Sequence, residues 1–189
     1  GKGATRQLLT EVAGNRGFAL KQFDCDQAVA GLLNEPEVQI GLEKLAGRLT
    51  LDDSGKLDKN WLREKLFAEK EFRIKVESFL HPLVFDRVEE YVRSESTGAD
   101  AILVEVPLLY EVDFPMRKEL TIVVAASRKT QVERLVSKRN LDENTARLIL
   151  DSQLPIQSKI DKGDLVVWND GDLGALRGQI SAVAERIEF

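Results

Sequence analysis

Four stretches of the chain are apolar and rich in β-branched residues. They are GFALKQFD ending at Asp24, AILVEVPLL from Ala101, LTIVVAA from Leu120 and DLVVWND from Asp164. Runs of this length and composition predict buried strands. Between them the apolar positions recur at helical spacing. Leu8, Leu9 and Val12 share one face of an opening helix that stops near Gly14. From Gln27 to Ser96 nearly everything reads as helix, with breaks at Pro36, at the turn Asp52 to Lys56 and at Pro82. A second helical block runs from Lys129 to Lys162, with Asp142 as N-cap and a break at Pro155. The last helix starts near Asp172 and turns Leu173, Leu176, Ile180 and Val183 inward.

Near-continuous apolar strands separated by helices predict the α/β class, a doubly wound parallel sheet covered on both faces. Sheets of this kind bind ligands at the carboxyl ends of their strands. The candidate chemistry therefore falls on Asp24 to Asp26, Pro107 to Glu111, Ser127 with Arg128, and Asn169 to Gly171. The helical stretch after Asp26 would cover the same edge.

Composition narrows the class. The 189 residues are 43% hydrophobic and 31% charged, as in an ordinary globular domain. No run approaches the roughly 18 apolar residues of a membrane span, and no signal peptide is evident. With 27 basic and 32 acidic residues the net charge is −5, which argues against a broad nucleic-acid footprint. One cysteine, Cys25, and one histidine, His81, exclude an intrachain disulfide framework and argue against a zinc site, and suit a reducing cytoplasm.

The opening GKGATRQLL matches the end of a phosphate-binding loop, in which a Gly-Lys pair precedes a helix whose N–H groups hold phosphate oxygens. An ordinary surface start is the alternative. If the loop reading holds, the central first strand of the sheet is missing from the given chain, and about a dozen upstream residues would supply it. Asp24 and Asp26 straddle a strand-to-helix turn. Asp26 is either a carboxylate that accepts a hydroxyl proton or the N-cap of QAVAGLL. His81 in FLHPLV reads as a structural hydrogen-bonder, with Pro82 as first residue of a helix. Glu105, inside an apolar strand, needs a partner. Arg134, Lys138 and Arg139 form either a solvated helix face or a lid that brings a guanidinium to a transferring phosphoryl group. Asn169 is able to read a base edge or to make a turn.

Taken in order, FDCDQAV, GKLDKNWLREKLFAEKE, FLHPLV, VEVPLLYE, QVERLVSKRNL, SQLPIQSK and VVWNDGDL resemble the motifs of the dephospho-coenzyme A kinase family over nearly the whole chain. The resemblance implies a single kinase domain of P-loop type. Its core would be 1–26, 99–127 and 163–189, with a helical acceptor-binding region at 27–98 and a helical lid at 128–162. It implies transfer of the ATP γ-phosphate, with Mg²⁺, to the ribose 3′-hydroxyl of dephospho-coenzyme A. Asp26 resembles the catalytic carboxylate, Lys2 the phosphate-loop lysine and Arg139 the lid arginine, with Lys138 aligning almost as well. Gly1, Lys2, Gly3, Ala4, Arg139 and Asn169 would meet ATP, and Asp26, His81 and Pro107 the acceptor. The implied partner is that small molecule alone, with neither nucleic acid nor membrane, in a cytoplasmic monomer or weak homo-oligomer. No protein ligand to a metal is assigned. Gly3 stands where the family has Ser or Thr, Phe85 where a basic residue is frequent, and Trp168 where Asp is usual. Two other readings stay open: another P-loop small-molecule or nucleoside monophosphate kinase, and a non-catalytic nucleotide-binding relative.

Overall fold

The computed structural model describes residues 1–47, 51, 52, 54–139 and 141–187, with the side chains of Lys138 and Arg139 left out of the description. The elements run α1 (Lys2–Asn15), β1 (Leu20–Asp24), α2 (Cys25–Leu32), α3 (Pro36–Ala46), α4 (Lys59–Ala68), α5 (Lys70–Glu95), β2 (Ala101–Glu105), β3 (Ile122–Ala125), α6 (Arg128–Arg139), α7 (Glu143–Asp151), α8 (Ile156–Ile160), β4 (Leu165–Trp168) and α9 (Leu173–Arg186). All four predicted strands form. The chain divides into two units, 1–21 with 98–189, and 22–97.

In the first unit β3 and β4 pair in parallel, in the register Ile122 with Leu165 through Ala125 with Trp168. The start of β1 runs beside β2. Asp100 accepts a hydrogen bond from the Ala19 N–H at 2.7 Å, and the Ala19 carbonyl accepts from the Asp100 N–H at 3.0 Å. The strands form two separate two-stranded sheets, and no ladder joins β2 to β3 among the described residues. Leu8 and Leu9 from α1, Leu165 and Val167 from β4, and Leu176, Ile180 and Val183 from α9 make one buried cluster. Burying seven such side chains is the main local driving force, about 1.5–3 kcal/mol each before entropy is charged. The opening helix runs one residue past Gly14. It ends where Gly17 takes φ 75°, a backbone that only glycine adopts without strain, while the Phe18 N–H returns to the Ala13 carbonyl at 2.9 Å.

The second unit is helical around α5, against which α2, α3 and α4 pack. The predicted break at Pro36 is present, and Pro36 is the first residue of α3. Pro82 does not start a helix: α5 runs through it without a break. An interior proline costs a hydrogen bond and a steric clash. Here Phe72, Val76, Leu80, Val84 and Val88 form one buried stripe at four-residue spacing on both sides of Pro82, and their burial outweighs that cost. Gly41 on α3 is required by close approach, because a Cβ there would lie 2.3 Å from Phe79 Cζ on α5. Leu173 also departs from expectation. At 60% exposed it precedes the inward stripe of α9, which is Leu176, Ile180 and Val183.

Candidate functional site

The start of α1 sits at the carboxyl ends of β3 and β4. Gly1 is its N-cap, without a side-chain hydrogen bond and with no acidic residue in the first turn. The first intrahelical bond runs from the Thr5 N–H to the Gly1 carbonyl at 3.1 Å, so the N–H groups of Lys2, Gly3 and Ala4 have no acceptor within the helix. Lys2, Gly3 and Ala4 are exposed. Asn169, just past β4 and only 6% exposed, donates from Nδ2 to the Gly1 carbonyl at 3.4 Å. Its Oδ1 accepts from Arg134 Nη2 on α6 at 2.9 Å, and its N–H reaches the Ala125 carbonyl at 2.7 Å. A Cβ built on Gly1 would lie 3.6 Å from Arg134 Nη1 and 4.0 Å from Val124 Cγ1. The helix start, a lysine and a guanidinium thus form one positively charged nook, suited to an anion with several oxygens.

Asn169 therefore spends its amide on the helix start and on Arg134. Sequence reasoning chose Arg139 as the lid cation, yet Arg134 is the one placed beside the helix start. The Arg139 side chain lies outside the described residues, as does that of Lys138. At about 100° per residue, position 138 lies roughly 40° from 134 around the helix and 139 roughly 140°, so spacing groups 138 with 134 and sets 139 apart without saying which side meets the sheet. Only the packing of α6 decides which of them faces the sheet.

Asp170 lies in the stretch Asn169 to Gly171 marked as candidate chemistry, where the sequence assigned a role to Asn169 alone. Its carboxylate accepts from the Ser127 N–H at 2.9 and 3.0 Å, from Ser127 Oγ at 3.2 Å and from Trp168 Nε1 at 2.8 Å. Desolvation opposes its charge, but hydrogen bonds from Thr130, Ser127 and Trp168 outweigh that and hold its pKa below the ordinary carboxylate value. These bonds fasten the start of α6 to the end of β4. At this same end of the helix pair, Arg128 at the start of α6 meets Asp151 at the end of α7 at 2.7 Å. Glu105 has the partner it needs: Arg6 Nε lies 3.4 Å from its Oε2, with both side chains mostly buried. Pro107 is half-buried just past β2.

In the second unit the cap of α2 is Asp24, whose Oδ1 accepts from the Gln27 N–H at 3.2 Å. The alternative reading of Asp26 as the cap is therefore wrong. Asp26 occupies the first turn, where the helix dipole favours a carboxylate, and is exposed. His81 is half-buried on α5, with its ring 6.0 Å from that of Phe85.

For a divalent cation the fit at α1 is poor. Gly3 has no side-chain oxygen, and Thr5, 2% exposed, turns its hydroxyl back to the Gly1 carbonyl at 3.3 Å. No group of three or more His, Cys, Asp or Glu able to hold a metal occurs among the described residues. None of the described helices is long and apolar enough to cross a membrane.

Two solved structures share this fold. The crystal structure of TT1252 from Thermus thermophilus superposes with TM-score 0.74 at 23% identity, covering 98% of this chain and 93% of that one. The dephospho-CoA kinase from Campylobacter jejuni superposes with TM-score 0.66 at 24% identity, covering 97% and 91%. In sequence, the dephospho-CoA kinase of Bacillus thuringiensis subsp. konkukian is 30% identical over 144 residues, 74% of this chain and 70% of the relative. The family model described as dephospho-CoA kinase matches residues 7–174, which take in the strand ends, the α6–α7 pair and the Asn169 turn described above. By that match, the chain belongs to the dephospho-CoA kinase family.

Proposed function

We infer that the protein is an ATP-dependent kinase that moves the γ-phosphate of ATP onto the ribose 3′-hydroxyl of dephospho-coenzyme A, completing coenzyme A. The observation that carries this reading, beside family membership, is the acid-free start of α1 held against Arg134 and Asn169. The N–H groups of Lys2, Gly3 and Ala4 would hold the nucleotide phosphates, with Lys2 on their outer oxygens. Arg134, and Arg139 from the end of α6, would carry positive charge toward the phosphoryl group as negative charge spreads over it. Asn169 would keep the helix start in place beneath the nucleotide. Asp26, left exposed because Asp24 does the capping, would orient the acceptor hydroxyl and take its proton. His81 and Pro107 would line the acceptor. Mg²⁺ would neutralise phosphate charge when bound, but the α1 start offers it no hydroxyl, and no step is assigned through it.

The fold reading is a P-loop kinase sheet. We place the enzyme in the cytoplasm as a monomer or weak homo-oligomer, with the acceptor-binding region at 27–98 and the lid at 128–162.

ADP release with dephospho-coenzyme A as acceptor tests the reading. Asp26→Asn is expected to lower turnover by at least about 10²-fold while leaving the protein folded, with at most a small fall in Tm from the lost first-turn carboxylate. Turnover retained in that variant refutes the role of Asp26. The missing hydroxyl at Gly3 favours a second reading, a nucleotide-binding relative without transfer, which tight ATP binding with no ADP release would support.

A further inference from the structure

Glu111 lies early in the loop that joins β2 to β3, and the segment around α8 meets it. Its Oε1 takes Lys159 Nζ at 2.8 Å and the Leu154 N–H at 3.1 Å. Lys159 also reaches Gln153 Oε1 at 3.4 Å. The two charged side chains are only 15% and 20% exposed. One residue earlier, Lys162 Nζ lies 5.7 Å from the centroid of the Tyr110 ring, whose hydroxyl is buried without a hydrogen-bond partner among the described residues. Two cations from one short stretch thus hold two consecutive residues.

This arrangement differs from the ion pairs elsewhere on the helix pair. Lys129–Glu133 and Arg147–Glu143 are more than half exposed on both partners, and such pairs contribute little. A shielded carboxylate that also accepts a backbone N–H is costly to remove, because its partners are left without an acceptor. Position matters as well. The α6–α7 pair stands on two feet: Ser127, fastened to Asp170, and residues 153–159, fastened to Glu111. In sequence, Arg134, which meets Asn169, lies between them.

We propose that Glu111 is a positioning residue that pins the second foot of the α6–α7 pair and so sets where Arg134 stands beside Asn169 and Gly1. With the second foot loose, the pair pivots on Ser127 and the guanidinium leaves the nook. Only the kinetic part of the test below rests on the kinase reading; the exchange part does not.

The full chain is compared with Glu111→Ala, Glu111→Gln, Lys159→Ala and the double variant Glu111→Ala/Lys159→Ala. Amide hydrogen exchange is read by mass spectrometry without nucleotide, together with KM and kcat for ATP and for dephospho-coenzyme A. In Glu111→Ala, exchange over 153–160 and α6–α7 should rise about tenfold, with β3, β4 and α9 unchanged. KM for ATP should rise roughly 3- to 10-fold with acceptor KM unchanged. Glu111→Gln keeps an acceptor for Leu154 and should fall between, and the double variant should be no worse than Glu111→Ala. Should Glu111→Ala not fold, Glu111→Gln and Lys159→Ala carry the comparison. Wild-type exchange in the variants, additive effects in the double variant, or loosening spread evenly over the first unit would each overturn the proposal. A wild-type protein without transfer would sink the kinase reading, and the exchange data would then decide the role of Glu111.

Discussion

Removing the Asp170 carboxylate tests how firmly α6 is tied to the sheet. In Asp170→Ala the Ser127 N–H loses a charged acceptor, and Ser127 Oγ and Trp168 Nε1 lose theirs. The first is equivalent to losing a helix cap, about 1 kcal/mol, and the other two, in solvent-exposed positions, add about 0.5 kcal/mol together. The expected cost is therefore about 1.5 kcal/mol, or a fall in Tm of roughly 3–6 °C for a chain of this size. Because the folded pKa of Asp170 is depressed, its contribution is fully present above the unfolded value of about 3.9 and disappears as pH falls through the folded pKa. Thermal melts followed by circular dichroism should show the full gap between wild type and Asp170→Ala at pH 7 and pH 5.5. The gap should narrow as the pH is taken below 4. Equal melting temperatures at pH 7, or a gap undiminished at the lowest pH where both proteins fold, would refute the reasoning.

Two further substitutions test other parts of the molecule. Pro82→Ala restores the missing hydrogen bond within α5 and should stabilise the chain by about 1–3 kcal/mol in urea unfolding; a loss of stability would mean that Pro82 sets the path of the helix. A Cβ at position 3 meets no atom within 4 Å, so Gly3→Ser and Gly3→Ala should both be accommodated and both should strengthen α1 by up to about 1 kcal/mol. Only the serine should tighten nucleotide binding as Mg²⁺ is raised in isothermal titration calorimetry; equal titrations for the two variants would reject the hydroxyl argument.

The strands were legible because each is a short run of β-branched residues, and such runs have few other ways to bury themselves. Two helix starts, at Asp142 and Asp172, were legible for a local reason too. Asp142 accepts from the Thr145 N–H at 3.0 Å and Asp172 from the Ala175 N–H at 2.8 Å, three residues on in both cases. Pro82 was misread because a local rule about proline met a tertiary fact, the buried stripe that continues past it. The choice between Asp24 and Asp26 as cap failed for a narrower reason: both stand at a strand end, and the first helical turn sets which one reaches an N–H. The partners of Asp170, Glu105 and Glu111 lie far away in sequence, on Ser127, Arg6 and Lys159. No spacing rule finds such pairs, and they are what hold the site together.

The capping pattern also bears on what the start of α1 is for. Asp24, Asp58, Asp142 and Asp172 satisfy the first N–H groups of α2, α4, α7 and α9, and α6 begins beneath Asp170. The starts of α3 and α5 carry Glu37 and Glu71 in the first turn. The start of α1 has a glycine cap, a lysine and no acid, although an Asp or Ser cap would stabilise it by about 1 kcal/mol. Beside it, Arg134 adds positive charge, while the neutral amide of Asn169 donates to the Gly1 carbonyl and bridges the two. A helix start with these neighbours would favour an anion. An anion of several charges relieves the dipole, the lysine and the guanidinium together. The same side chains would then gain most where negative charge is greatest, on the phosphates of a nucleotide as one of them departs. The short α8 also starts without an acid, after Pro155, so the kinase reading rests on the absence of acids at α1 only together with the presence of Lys2 and Arg134 beside it.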